Sequence, residues 1–201
     1  MKTSLPQFVL GYHGCDFSLV RELLAGNAQL KLSHNSYDWL GEGIYFWENA
    51  PSRAWEWAKE CAANPKMTKG KISTPGVVGA IIDLGNCLDL SDTRHLDVVK
   101  ASYKTVCETY EGMGRKMPEN RGMSHKLDCI VINAVEEINR ENGYPEFDSI
   151  RCPYLEGESI YPGACFGDRT HIQICIRNQE CIKGYFLPTE IFGKTIQKQM
   201  A

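Results

Sequence analysis

The chain has 201 residues, 43% of them hydrophobic and 23% charged, with a net charge of −3, which fits one compact domain of ordinary globular composition. That balance excludes bulk basic binding to nucleic acid, and no apolar run approaches the ~20 residues a membrane helix needs. At this length roughly 70% of the unfolded surface can be buried, so a core forms without a disulfide or a metal.

In chain order, Phe8–His13 is an apolar run that reads as a strand entering a turn at His13-Gly14. Phe17–Ala25 has helical spacing, with Asp16 or Ser18 as its cap and Gly26 as its end. Leu30–Leu32 reads as a short strand, and Gly41–Phe46 as a flexible turn feeding an aromatic strand. Pro51 then opens a helix near Ser52 that carries Ala54, Trp55, Ala58 and Cys61. The loop from Asn64 to Pro75 bears lysines, and Val77–Asp83 is a strong strand.

Beyond Leu88–Ser91 a helix is predicted over Thr93–Tyr110, a mobile or partner-facing stretch over Gly112–Ser124, and another helix over Lys126–Asn139. Phe147–Arg151 is a short strand, and Glu156–Thr170 a long loop of the kind that is usually functional or mobile. His171–Arg177 alternates cleanly, with His171, Gln173, Cys175 and Arg177 on one face and three isoleucines on the other. Cys181–Leu187 closes the core and Ile196–Ala201 is a tail. The pattern lacks regular βαβα alternation, so the expected class is α+β with short strands forming two packed sheets.

The nine cysteines are scattered, with no CxxC pair and no zinc-ligand spacing, so reduced thiols and no metal are expected. Met1–Leu10 has no signal-peptide character; the expectation is a cytoplasmic protein with no membrane partner.

Three segments carry chemistry. His13 offers two ring nitrogens to a ligand, and Gly14 lets a flat ligand reach the backbone. Gly41 and Gly43 bracket Glu42 and present the face of Tyr45, suited to stacking on an electron-poor ring. On the late strand, His171 and Gln173 hold hydrogen-bonding groups on one face.

In this order, His13-Gly14, Gly41-Glu42-Gly43-Ile44-Tyr45-Phe46 and the strand around Gln173 resemble the poly(ADP-ribose) polymerase and diphtheria-toxin-like branch of the ADP-ribosyltransferases. Tyr12 to about Ala58 carries most of the likeness, and the stretch from about Asn64 to Glu146 fits loosely. The resemblance implies a single 1–201 catalytic domain, a split sheet of two packed, mainly antiparallel sheets with flanking helices, and a helical insertion over about 92–142. It implies NAD⁺ as substrate. His13 would bind the adenosine-side ribose, Gly14 the nicotinamide carboxamide, and Tyr45, after the Gly43 turn, the nicotinamide ring. Ser52 would lie near the carboxamide, with Trp55 or Trp57 as a second stacking aromatic.

Where the family has its glutamate, this chain has Gln173, making a His-Tyr-Gln set. A neutral amide keeps the hydrogen bond and supplies far less charge to the transition state, which argues against polymer elongation and leaves mono-ADP-ribosylation. Glu156, Glu158 or Asp168 from the long loop is the alternative carboxylate. The implied acceptor is a protein or nucleic acid, met through Tyr154, Tyr161 and Phe166 or through the basic stretches Lys66–Lys71 and Arg115–Lys126. A toxin or defence effector with a neutralising antitoxin partner suits a domain of this kind. The competing readings are a degenerate NAD⁺- or ADP-ribose-binding module, an NAD⁺ glycohydrolase, and an NAD⁺-dependent RNA 2′-phosphate transfer.

Overall fold

The computed structural model describes residues 8–68 and 71–189. The 196–201 tail and Lys69 of the lysine-bearing loop lie outside the described residues.

The architecture is organised by β1 (Phe8–Asp16), which pairs along its full length with β3 (Pro75–Asp83), from Phe8↔Asp83 to Asp16↔Pro75. On the other side of β1 lies β2 (Ile44–Glu48). Adding β4 (Cys87–Asp89), β7 (Ser149–Tyr154), β8 (His171–Ile176) and β9 (Ile182–Phe186) gives one seven-stranded sheet in the order β4-β7-β8-β2-β1-β3-β9. The β4–β7 pair is parallel and the others are antiparallel. A second, two-stranded sheet joins β5 (Asn120–Arg121) to β6 (Ser124–His125).

The α+β class expected from the sequence holds, but in place of two packed sheets seven strands form one continuous hydrogen-bonded sheet, with the β5–β6 hairpin apart from it. The cause is β2, whose two edges engage β1 and β8 and so join what the sequence suggested as separate halves. Nor does β1 turn at His13-Gly14; it continues to Asp16 because β3 matches it residue for residue. Leu30–Leu32 forms no strand: Leu30 is buried in the core, and the chain there touches the sheet through the bridge Ser33↔Gly43.

Both faces of the sheet are covered. One is closed by α1 (Phe17–Leu24), whose Val20 and Leu23 meet Phe46, Val78, Ile82, Ile174 and Ile176. Gly11 is needed there, because a Cβ at its position would lie 2.5 Å from Ile82 Cδ1 and 2.9 Å from Phe46 Cβ. The other face carries α2 (Pro51–Ala63), which sets Ala54 on Tyr12, Trp47 and Val77. It also carries α4 (Lys126–Asn142), which sets Ile132 and Val135 on Leu88, Ile150 and Cys175. α3 (Thr93–Gly112) packs on α4, with Ser102 Oγ donating to Val131 O at 2.8 Å. The mobile stretch expected before α4 ends in the β5–β6 hairpin.

Asp16 joins β1, α1 and the strand entry of β3. One carboxylate oxygen caps α1 by accepting from Ser18 N at 3.0 Å, and the other accepts from Ser73 N at 2.8 Å and Thr74 N at 2.9 Å. Partial burial disfavours its charge, but the hydrogen bonds from Ser18, Thr74 and Ser73 outweigh that and hold the carboxyl below its usual range. Asp16→Ala is therefore expected to cost about 2 kcal/mol in urea denaturation. Since the folded carboxyl binds its proton more weakly than the unfolded one, its stabilisation is complete above about pH 4 and is lost as pH falls. The gap between Asp16→Ala and the parent should accordingly narrow in denaturation curves taken at pH 3.

Candidate functional site

The β1–β2 ladder contains Gly11↔Glu48 and Tyr12↔Trp47, and there it stops. Beyond it the strands diverge, and His13 reaches into the gap, with Nδ1 2.8 Å from the Tyr45 carbonyl. A carbonyl can only accept, so Nδ1 carries the proton and Nε2 of the neutral ring is left as an acceptor. Burial, opposed by the Tyr45 bond, pushes the His13 pKa down.

Alternation along β1 fixes what its neighbour presents. The Leu10 carbonyl accepts from Asn49 N at 2.9 Å on the β2 side. Backbone groups two and four residues on, at Tyr12 and Gly14, face the same way. Gly14 therefore turns its N–H and C=O toward the split. Its missing side chain faces α2: a Cβ there would strike the Ala54 carbonyl and approach Trp57 Cε3 to 3.1 Å. The glycine is thus required by helix packing independently of any ligand.

Tyr45 is half-buried and committed at its tip. Its hydroxyl donates to Gly41 O at 2.7 Å and accepts from Leu40 N at 3.1 Å, tying the Gly-x-Gly turn to β2. Burial, reinforced by Cys175 and Asp38, pushes the phenol far above its usual range, so it stays protonated. Gly41 has φ 73°, a left-handed value that suits glycine. Gly43 lies against β8, where a Cβ would strike Cys175 Sγ and come within 2.8 Å of Ile176 O.

On β8 the predicted face is real: Ile174 and Ile176 enter the α1 core, while His171, Gln173 and Cys175 point the other way. That face is buried, with Gln173 and His171 each 9% exposed. Gln173 pairs across to Trp47 on β2 and to Cys152 on β7. Its Oε1 accepts from Trp39 Nε1. The Trp39 ring lies on Tyr154 at 4.4 Å, and the Tyr154 hydroxyl bonds His125 Nε2 at 3.2 Å.

The structure does not gather every expected residue. Ser52 is exposed, on the outer side of α2. Trp55 is partly buried beside the α2 contact and has the Lys59 ammonium 5.7 Å from its ring centroid. The inward positions are Arg53 and Trp57, the latter 5.8 Å from Trp47. Of the loop acids, Glu156 is the one at this face: Arg53 Nη2 donates to its two oxygens at 3.0 and 3.1 Å, and His171 Nδ1 is 3.6 Å away. Asp168 accepts from Glu158 N at 3.1 Å and folds the loop on itself. Tyr161 and Phe166 are exposed and pack edge-on at 6.0 Å.

Sequence reasoning missed Arg53 as a site residue. Its signal was available, since it lies four residues before Trp57 and so shares a helix face with an aromatic. A separate open groove of about 570 Å³ lies by the β5–β6 hairpin, lined by Lys116, Glu119, Arg121 and Lys126 among others. It contains none of the expected catalytic or NAD⁺-binding residues; its lining belongs to the basic stretch Arg115–Lys126, where Glu119 pairs with both Lys116 and Arg121, at 2.9 and 2.8 Å. Among the described residues there is no cluster of three or more His, Cys, Asp or Glu able to hold a metal, and no helix is long and apolar enough to cross a membrane.

An uncharacterized protein of Methanocaldococcus jannaschii is 27% identical over 188 residues, covering 86% of this chain and 83% of its own length. No family model and no solved structure matches the chain.

Two measurements test this geometry. An NMR titration should give His13 a pKa below 6.5 with the neutral ring protonated at Nδ1; a value at or above 6.5 contradicts the burial described. Gly14→Ala should lower stability by about 1–3 kcal/mol through its clash with α2, read as a fall in the denaturation midpoint without any ligand.

Proposed function

We propose that this chain removes nicotinamide from NAD⁺ and transfers the ADP-ribose to a macromolecular acceptor, acting as a mono-ADP-ribosyltransferase. The observation that carries the proposal is the opening between β1 and β2: the backbone of Gly14 faces it, and the His13 ring spans it to the Tyr45 carbonyl. A carboxamide needs one donor and one acceptor side by side, and a strand residue whose partner strand has departed offers both.

In this reading the carboxamide pairs with Gly14, the ring packs beside Tyr45, and His13 Nε2 accepts from a ribose hydroxyl. The C1′–N bond breaks with its electron pair leaving on nicotinamide, and an acceptor nucleophile forms the new bond to C1′. Positioning and fixed dipoles do the work. Gln173 contributes a hydrogen bond without charge, which suits a single transfer and not chain elongation. Water in the acceptor's place gives NAD⁺ glycohydrolysis. The second reading, a module that binds NAD⁺ or ADP-ribose without turnover, is favoured by the Gln173 amide being neutral and already engaged by Trp39.

The deciding experiment incubates the full chain with NAD⁺ labelled on the adenylate phosphate, with and without protein and nucleic-acid fractions of a lysate. Label is expected on one of these fractions. His13→Asn, which preserves a donor toward Tyr45 O and removes the second ring nitrogen, should reduce labelling at least about a hundredfold. Binding of NAD⁺ without label or released nicotinamide supports the module; absence of binding overturns both readings.

A further inference from the structure

Beside Gln173 the face holds four buried polar atoms with no hydrogen-bond partner among the described residues: Trp47 Nε1, Arg53 Nε, Arg53 Nη1 and His171 Nε2. Buried polar groups are rarely left unpaired, and a cluster of them is a stronger signal than any one. The three residues are 6%, 7% and 9% exposed. They are also adjacent: the Arg53 guanidinium is 5.9 Å from the Trp47 ring centroid, and the Trp47 and His171 rings are 6.2 Å apart. Elsewhere the same side chains are pinned, Arg53 Nη2 by Glu156 and His171 Nδ1 by Arg169 O at 2.7 Å. The remaining approach, Glu56 Oε2 at 3.9 Å from Arg53 Nη1, is an ion pair too long for a hydrogen bond.

We propose that Trp47, Arg53 and His171 form a subsite for a vicinal diol, that of the ribose next to nicotinamide. The polarity of the four atoms selects this class. Because Nδ1 gives its proton to the Arg169 carbonyl, Nε2 of neutral His171 is an acceptor, while the indole and guanidinium nitrogens are donors. An anion would satisfy the donors but not the histidine, and it would meet Glu156, which already balances Arg53. A hydroxyl accepts twice and donates once. Two neighbouring hydroxyls can take the indole and both guanidinium N–H groups, while giving one proton to Nε2. Burial, the largest influence on His171, pushes its pKa down and keeps the ring in the accepting form. Gln173, two residues along the same face, holds the end of the subsite under Trp39.

This inference rests on the reading of the chain as a user of NAD⁺, and the test separates the two. Calorimetry on the full chain compares ADP-ribose, which carries the second ribose, with ADP, which lacks it. The parent should bind ADP-ribose at least about tenfold more tightly than ADP. Trp47→Phe removes the indole N–H and keeps the ring. His171→Asn keeps a donor toward Arg169 O and loses the Nε2 acceptor. Each should weaken ADP-ribose about fivefold to tenfold and leave ADP unchanged, while His171→Gln, with an amide oxygen near the Nε2 position, should retain more than His171→Asn. If His171→Asn fails to fold by circular dichroism, Trp47→Phe decides alone. Tighter binding of ADP-ribose that neither variant alters overturns the subsite and leaves the NAD⁺ reading standing, with the four atoms held by water. Binding of neither nucleotide overturns both.

Discussion

The parting of β2 from β1 after two register pairs is the constraint on which the site depends. A strand that leaves its neighbour exposes backbone groups, and in a buried region each of them needs a substitute partner. His13 provides one by bonding the Tyr45 carbonyl across the gap. β2 can depart because its other edge is fixed by four register pairs to β8, so the opening costs none of the sheet's continuity. Gly14 is the residue where the opening, the strand's alternation and the pressure of α2 coincide.

The same face is organised by charge compensation. Arg53 is buried under α2, and an unpaired guanidinium there would be costly. Glu156, arriving from the loop after β7, neutralises it through two oxygens and stands beside His171. The long loop is thereby tied at its first turn to the helix opposite, while its aromatic tip at Tyr161 and Phe166 stays exposed. The loop is thus anchored at its root and open at its tip.

Gln173 shapes the electrostatics of this face by what it lacks. Under Trp39, with 9% of its surface exposed, a carboxylate at this position would be costly to ionise, whereas the neutral amide carries no such penalty and its oxygen accepts from the indole. The carboxylate at this face, Glu156, is engaged by Arg53 through both oxygens and so balances charge there.

Local pattern made much of the chain legible from sequence alone. Alternation and capping residues located β1, α1, β3, α2, α4 and β8 to within a few residues, because these signals depend on neighbours along the chain. The Gly-x-Gly turn before Tyr45 and the shared face of His171 and Gln173 were determined in the same way. The partners of those residues were decided only by the tertiary structure. Arg53 meets Glu156 across 103 positions and Trp39 meets Gln173 across 134, and no periodicity links residues so far apart. The register that buries Arg53 and exposes Ser52 was likewise set by α2 docking onto Tyr12, Trp47 and Val77. One residue of helical phase, about 100° of rotation, changes which side chain enters the site, and that phase is fixed by packing against the sheet rather than by the helix itself.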